Sequence, residues 1–124
     1  MGPAVDNLLT ATFEAHNPER NHHRRYQLTV GRDLLDDWTV TITYGRTGQG
    51  GREQRYASPN AEDLRAILND RLRRRLTAPR RIGCSYRLTA YTAASGFDGS
   101  TWLYAEIISA FRAVPRSNDP STLP

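Results

Sequence analysis

The sequence predicts an α+β domain, an antiparallel sheet of about five strands with one main helix packed across it. Three observations carry this expectation. Apolar and polar residues alternate with the period of two that a half-buried strand requires, in four successive segments between Leu9 and Ala57. A single stretch with helical spacing follows, from Ser58 to Leu76, and one more alternating segment comes after it. Four strands, one helix and then one strand is the order of an α+β domain.

The elements can be justified in turn. Leu9, Ala11, Phe13 and Ala15 alternate with Thr10, Thr12 and Glu14, and Asn17 to Asn21 form a turn cluster. Tyr26, Leu28 and Val30 then alternate with Arg25, Gln27 and Thr29. The clearest strand sets Trp38, Val40, Ile42 and Tyr44 on one face and Thr39, Thr41 and Thr43 on the other, where β-branched threonines suit an exposed pleat. A fourth strand over Arg52 to Ala57 is polar enough for a sheet edge. At the helix start Ser58 can cap a free amide, Pro59 fits the first helical position, and Glu62 and Asp63 meet the positive end of the dipole. Leu64, Ile67, Leu68, Leu72 and Leu76 make one apolar stripe, which should stop before Pro79. A fifth strand is expected where Ile82, Cys84, Tyr86, Leu88 and Ala90 alternate with Gly83, Ser85, Arg87 and Thr89. After a turn at Gly96–Gly99, residues 100–113 are expected to form a second helix that buries Trp102 or Leu103, Ile107 and Phe111. The tail from Pro115 to Pro124 has the composition of a disordered segment.

Composition narrows the function classes. There is room for one domain in 124 residues, and no apolar run approaches the ~18 residues of a membrane span. The beginning of the chain lacks the basic-then-apolar order of a signal peptide, so a cytoplasmic protein without a membrane partner is expected. One cysteine, Cys84, excludes an internal disulfide framework and a thiolate metal cluster. The formal net charge is +4, and all 17 basic residues are arginine. Residues 1–19 carry three acids and no arginine, whereas six arginines and no acid lie between Arg71 and Arg81. Such a patch suits a polyanionic partner or a solvated face.

The stretch TYGRTGQGGR, Thr43 to Arg52, holds four glycines and two arginines. Gly51-Arg52 stands where a phosphate-binding loop requires Lys-Ser/Thr, and a strand follows where a dinucleotide fingerprint requires a helix. The glycines therefore read as hairpin geometry. The flanking Arg46 and Arg52 are left as the candidate grip for an anion.

Tyr44-Gly45-Arg46-Thr47-Gly48, followed by Gly50-Gly51, resembles the signature of the WGR domain. Asn21 to Leu28 is similar to that family's strand opening with a basic residue and an aromatic. Asp33-Leu34-Leu35-Asp36-Asp37-Trp38 resembles its Asp-Leu-Phe-x-x-Trp approach to the central strand, and Ser85-Tyr86-Arg87 sits near its closing Gly-Tyr. The resemblance covers residues 8–92 and leaves 93–124 as a C-terminal extension. It implies a DNA-binding module without catalytic activity: in poly(ADP-ribose) polymerases the domain binds DNA near strand breaks, with the motif's aromatic against a sugar at a DNA end and its arginine at the contact surface. By position these roles fall on Tyr44 and Arg46. Tyrosine replaces tryptophan at position 44, a smaller stacking face that by alternation shares its side of the strand with Trp38. Tyr44 is thus a contact residue or a core-rim residue, and Arg46 either meets the ligand or pairs with Asp36 or Asp37.

The second candidate is the basic helix end, Arg71, Arg73, Arg74 and Arg75, with Arg80 and Arg81 in the loop beyond. Helical geometry turns Arg73 and Arg74 outward, while Arg71 and Arg75 lie close to the apolar stripe. A charge so placed needs an acid, a carbonyl or a ligand phosphate beside it. His22-His23-Arg24-Arg25 could extend the same surface. The three histidines lack metal-ligand spacing, Cys84 reads as a small core residue, and no catalytic set or cofactor motif is legible. The expected function is binding of nucleic acid, DNA with ends or nicks, through Tyr44, Gly45, Arg46, Arg52, Arg71, Arg74, Arg75, Arg80 and Arg81. The alternative is a protein-interaction module that offers its basic surface, or its C-terminal extension, to an acidic protein.

Overall fold

The structure is a computed structural model that describes residues 4–77 and 83–112. Strands β1 (Ala4–Asn17), β2 (His22–Asp33), β3 (Trp38–Arg46) and β4 (Arg52–Ser58) precede helix α1 (Ala61–Arg75); strand β5 (Arg87–Ala93) and helix α2 (Ala105–Arg112) follow. The strands form one antiparallel sheet in the order β4-β3-β2-β1-β5, so the polar β4 is indeed an edge and β5 is the other.

Register puts the apolar positions of neighbouring strands side by side. Phe13 faces Tyr26, Ala11 faces Leu28, Leu28 faces Ile42, and Val30 faces Val40. Both helices cover this face, α1 over β3 and β4 and α2 over β5. Leu64, Leu68 and Leu72 at successive fourth positions are all buried, each a contribution of about 1.5–3 kcal/mol. The opposite face carries Thr10, Glu14, Arg25, Gln27, Thr29, Thr41, Thr43, Glu53 and Arg55, and no described helix packs on it. No helix of the described residues is long and apolar enough to cross a membrane.

Asn69 is a buried polar side chain on α1, 1% exposed. Its amide nitrogen donates to the carbonyls of Arg65 (2.8 Å) and Trp102 (2.7 Å), and its oxygen accepts from the Tyr104 amide (3.0 Å). These bonds fasten the segment after β5 onto α1. The C-terminal segment therefore completes the core, with Trp102, Leu103, Ile107, Ile108 and Phe111 all buried. Both Trp102 and Leu103 are inside, where the periodicity offered one or the other.

Three boundaries differ from the sequence reading. Asn60, not Ser58, caps α1, accepting from the Glu62 amide at 3.0 Å. Ser58 is still paired with Trp38 in the sheet and instead accepts from the Asn60 amide, so Pro59 falls in the turn before the helix. Strand β5 is displaced toward the C-terminus, and a bulge leaves Thr89 without a partner between the pairs Thr12–Ala90 and Phe13–Leu88. The extra residue inverts the alternation. Tyr91, not Ala90, then lies opposite the buried Ala11. The second helix is shorter than expected, because Asp98 caps a short 3₁₀ turn at Gly99–Thr101 by accepting from the Ser100 amide. Ile82 and the tail from Pro115 lie outside the described residues.

Candidate nucleic-acid interface

The glycine-rich loop joins β3 to β4 and sits at the same end of the sheet as the β1–β2 turn. Its glycines answer to geometry. Gly45 and Gly48 hold φ of 157° and 84°, the first with a Cβ position only 3.0 Å from the Gly51 Cα. A Cβ on Gly51 would collide with the Tyr44 carbonyl. The motif backbone doubles back on itself too closely for side chains at those positions. The loop is continuous with the sheet, since the Thr47 amide donates to the His23 carbonyl at 2.8 Å.

Under the loop, on the sheet face that the helices leave open, lies a depression of about 230 Å³ lined by Arg25, Gln27, Thr43, Tyr44, Gly45, Arg46, Gly48, Gln49 and Gly51. Register assembles it, because Arg25 pairs with Gly45 and Gln27 with Thr43. Gln27 is held by its bond to the Thr12 hydroxyl (2.9 Å). Arg25 is exposed.

Arg46 does not pair with Asp36 or Asp37. Its two terminal nitrogens donate to the backbone and side-chain oxygens of Asn21, both at 2.9 Å, in the β1–β2 turn. Asp36 lies at the other end of β2 and pairs with Arg32 at 2.7 Å. The reason is distance: β3 carries Arg46 the length of the sheet away from the β2–β3 loop. The clamp fixes the guanidinium plane, and its other donors have no partner among the described residues.

On the helix-covered side the motif tyrosine is half-buried at the rim of the core. Arg52 is its cross-strand partner. The Arg75 guanidinium lies 4.4 Å from the Tyr26 ring centre and 5.5 Å from that of Tyr44. Among the described residues the charge on the apolar stripe thus finds neither acid nor carbonyl but two aromatic faces, a cation–π stack. Its Nε is buried without a hydrogen-bond partner, as is that of Arg24. Arg71 donates to the Tyr56 hydroxyl at 3.2 Å. Arg74 points outward to Asp70 at 3.1 Å, and Arg80 and Arg81 lie outside the described residues.

Burial pushes the Tyr26 hydroxyl up from 10.0 to about 12, against the opposing pull of Arg75 and Arg71. The folded chain therefore keeps this proton between roughly pH 10 and 12, where the unfolded chain has lost it. Stability from this source is full below pH 10 and falls as pH rises through the folded value, by about 2–3 kcal/mol in all. Urea unfolding at mildly and strongly alkaline pH should show that drop in the native chain and a much smaller one in Tyr26→Phe. Parallel losses in both would assign the effect to other groups.

The candidate site therefore has two sides. Tyr44, Arg52 and Arg75 stand on one side of the β3 end, with Arg71 bonded to Tyr56 close by. Gly45 and Arg46 line the depression on the other, and Tyr44 contributes to that lining as well. Arg24, Arg25, Arg46, Arg52, Arg71 and Arg75 have no carboxylate partner among the described residues; the arginine ion pairs are Arg32–Asp36, Arg65–Glu62 and Arg74–Asp70. Sequence reading passed over Gln27, Thr43 and Gln49, and gave Arg25 only as an extension of the basic surface. The signal was the polar alternation of β2 and β3, which becomes a site only once the register is known. The extension does not offer Trp102 or Ile107 to a partner, since these are 1% and 3% exposed.

No curated protein matches this chain. The family profile of the WGR domain matches residues 9–77, which run from β1 through the end of α1.

Proposed function

The chain belongs to the WGR domain family, and from that premise we propose that it is a non-catalytic module binding DNA at ends or nicks through phosphate contacts. The observation that carries this reading is the set of arginines without carboxylate partners at one end of the sheet, arranged around the motif loop. Guanidinium groups held at a half-buried rim with unused donors are suited to phosphate oxygens. Arg25 and Arg46 would meet phosphate at the depression, Arg52 and Arg75 would meet it on the helix side, and Tyr44 would pack against an exposed sugar or base. The acidic Asp33, Asp36 and Asp37 stand at the opposite end of β2. That separation would orient the chain in the field of a polyanion, loop first.

Fluorescence anisotropy with a nicked duplex and a closed duplex circle of the same sequence, at two salt concentrations, tests the reading. The nick should bind more tightly. Arg25→Ala, which removes no described hydrogen bond, should weaken binding and reduce the salt slope by about 1. Arg46→Ala, checked for folding because it also releases Asn21, should remove the preference for the nick. Absence of binding at low salt would sink the proposal, and equal binding of both DNAs would reduce it to a generic basic patch.

A further inference from the structure

The two edges of the sheet are not alike. The β4 edge is interrupted by Arg52, Glu53 and Arg55, charges that discourage pairing with another strand. The β5 edge carries a charge only at its first residue, Arg87. From Leu88 to Phe97, between Arg87 and Asp98, there is no charged residue, and residues 89–96 are all exposed. Tyr91, 38% exposed, is one of three large hydrophobic residues open to solvent among those described.

The backbone direction at this edge can be read from one bond. The Ala94 amide donates to the Leu8 carbonyl at 2.8 Å, so the polar groups of residue 94 point inward to β1. Alternation turns those of Thr92 and Ala90 inward as well, and those of Tyr91 and Ala93 outward. The outward groups are therefore symmetric about Thr92. An antiparallel copy centred there sets Tyr91 of each strand against Ala93 of the other, large beside small, and closes two hydrogen-bonded pairs. It sets Thr92 against Thr92 in a non-hydrogen-bonded pair, a favourable cross-strand match on the open face. A register centred on Tyr91 would stack tyrosine on tyrosine and run Ala93 onto the bulge at Thr89, so the Thr92 register is preferred.

We propose that β5 pairs with β5 of a second copy of this chain about a two-fold axis at Thr92, joining two sheets into one. The interface lies at the edge opposite β4, so both motif loops remain free at the outer flanks of the dimer. It is independent of nucleic-acid binding.

Sedimentation of the intact chain without nucleic acid, over a wide concentration range, should show a monomer–dimer equilibrium. Thr92→Lys places two ammonium groups opposite one another on an exposed face and should weaken association about tenfold or more, with an unchanged circular dichroism spectrum. In a Cys84→Ser background, Thr92→Cys should oxidise to a covalent dimer, since the non-hydrogen-bonded pair brings the two Cα atoms to about 4.5 Å, within disulfide reach. Ala90→Cys in the same background should not, because its two copies would lie about 13 Å apart along the strands. A chain that stays monomeric throughout and forms no covalent dimer overturns the proposal. So does a dimer that is indifferent to Thr92→Lys and oxidises equally at positions 90 and 92.

Discussion

Trp102→Ala should lower the unfolding free energy by about 3–5 kcal/mol, the cost of deleting a large buried aromatic from a core that cannot fully close over the gap. Trp102 is 1% exposed, and its indole touches two other elements of the fold. Its ring centre lies 5.2 Å from that of Trp38 at the start of β3, and the Arg65 guanidinium of α1 lies 5.1 Å above it. The backbone carbonyl of Trp102, which the substitution leaves in place, is one of the two that Asn69 donates to. The loss therefore falls on the matched WGR segment as well as on the extension, because Trp38 and Arg65 both lie within residues 9–77. Urea unfolding followed by tyrosine absorbance, to which β2, β3, β4 and β5 contribute Tyr26, Tyr44, Tyr56 and Tyr91, should show one transition moved to lower denaturant. If the extension were a separate appendage, the change would be confined to it and the strand signal would stay where it was.

Gly51→Ala is the second substitution with a large expected effect. A Cβ there would lie 2.8 Å from the Tyr44 carbonyl carbon and closer still to its oxygen, and that neighbour is backbone of the motif itself. Relief requires the β3–β4 hairpin to open, which should reduce stability by about 1–3 kcal/mol and displace Tyr44, Gly45 and Arg46 together. Gly50→Ala is the control, since a Cβ on Gly50 meets nothing within 4 Å. Thermal unfolding and anisotropy with the nicked duplex should separate the two variants, Gly50→Ala behaving as the native chain and Gly51→Ala losing both stability and nick preference. Equal behaviour would show that the close approach of the motif backbone is unimportant to either.

These two positions also show what was legible beforehand. Glycine spacing and a following polar strand were enough to read the loop as a hairpin, but not to say which glycine was irreplaceable. Arg75 shows the same limit from another side. Its place on the apolar stripe told that it needed a partner, yet the partners, Tyr26 and Tyr44, come from two strands distant in sequence. For Arg46 the sequence left open a ligand contact or a pairing with Asp36 or Asp37, and the structure removes the second, since Asn21 holds the guanidinium.

What the sequence by itself determined is the local part. The strands, the helix, the polar edge at β4 and the inward faces of Leu9, Leu28, Ile42 and Leu64 follow from side-chain period, which needs only neighbours along the chain. Only the tertiary structure decided how those elements register. It placed Arg25 and Gln27 under the motif loop, shifted β5 by one residue at Thr89, and locked Trp102 to α1 through Asn69. The reason is that pairing energies between distant segments depend on the whole set of partners available. A bulge of one residue or a single buried amide then decides which side chains meet.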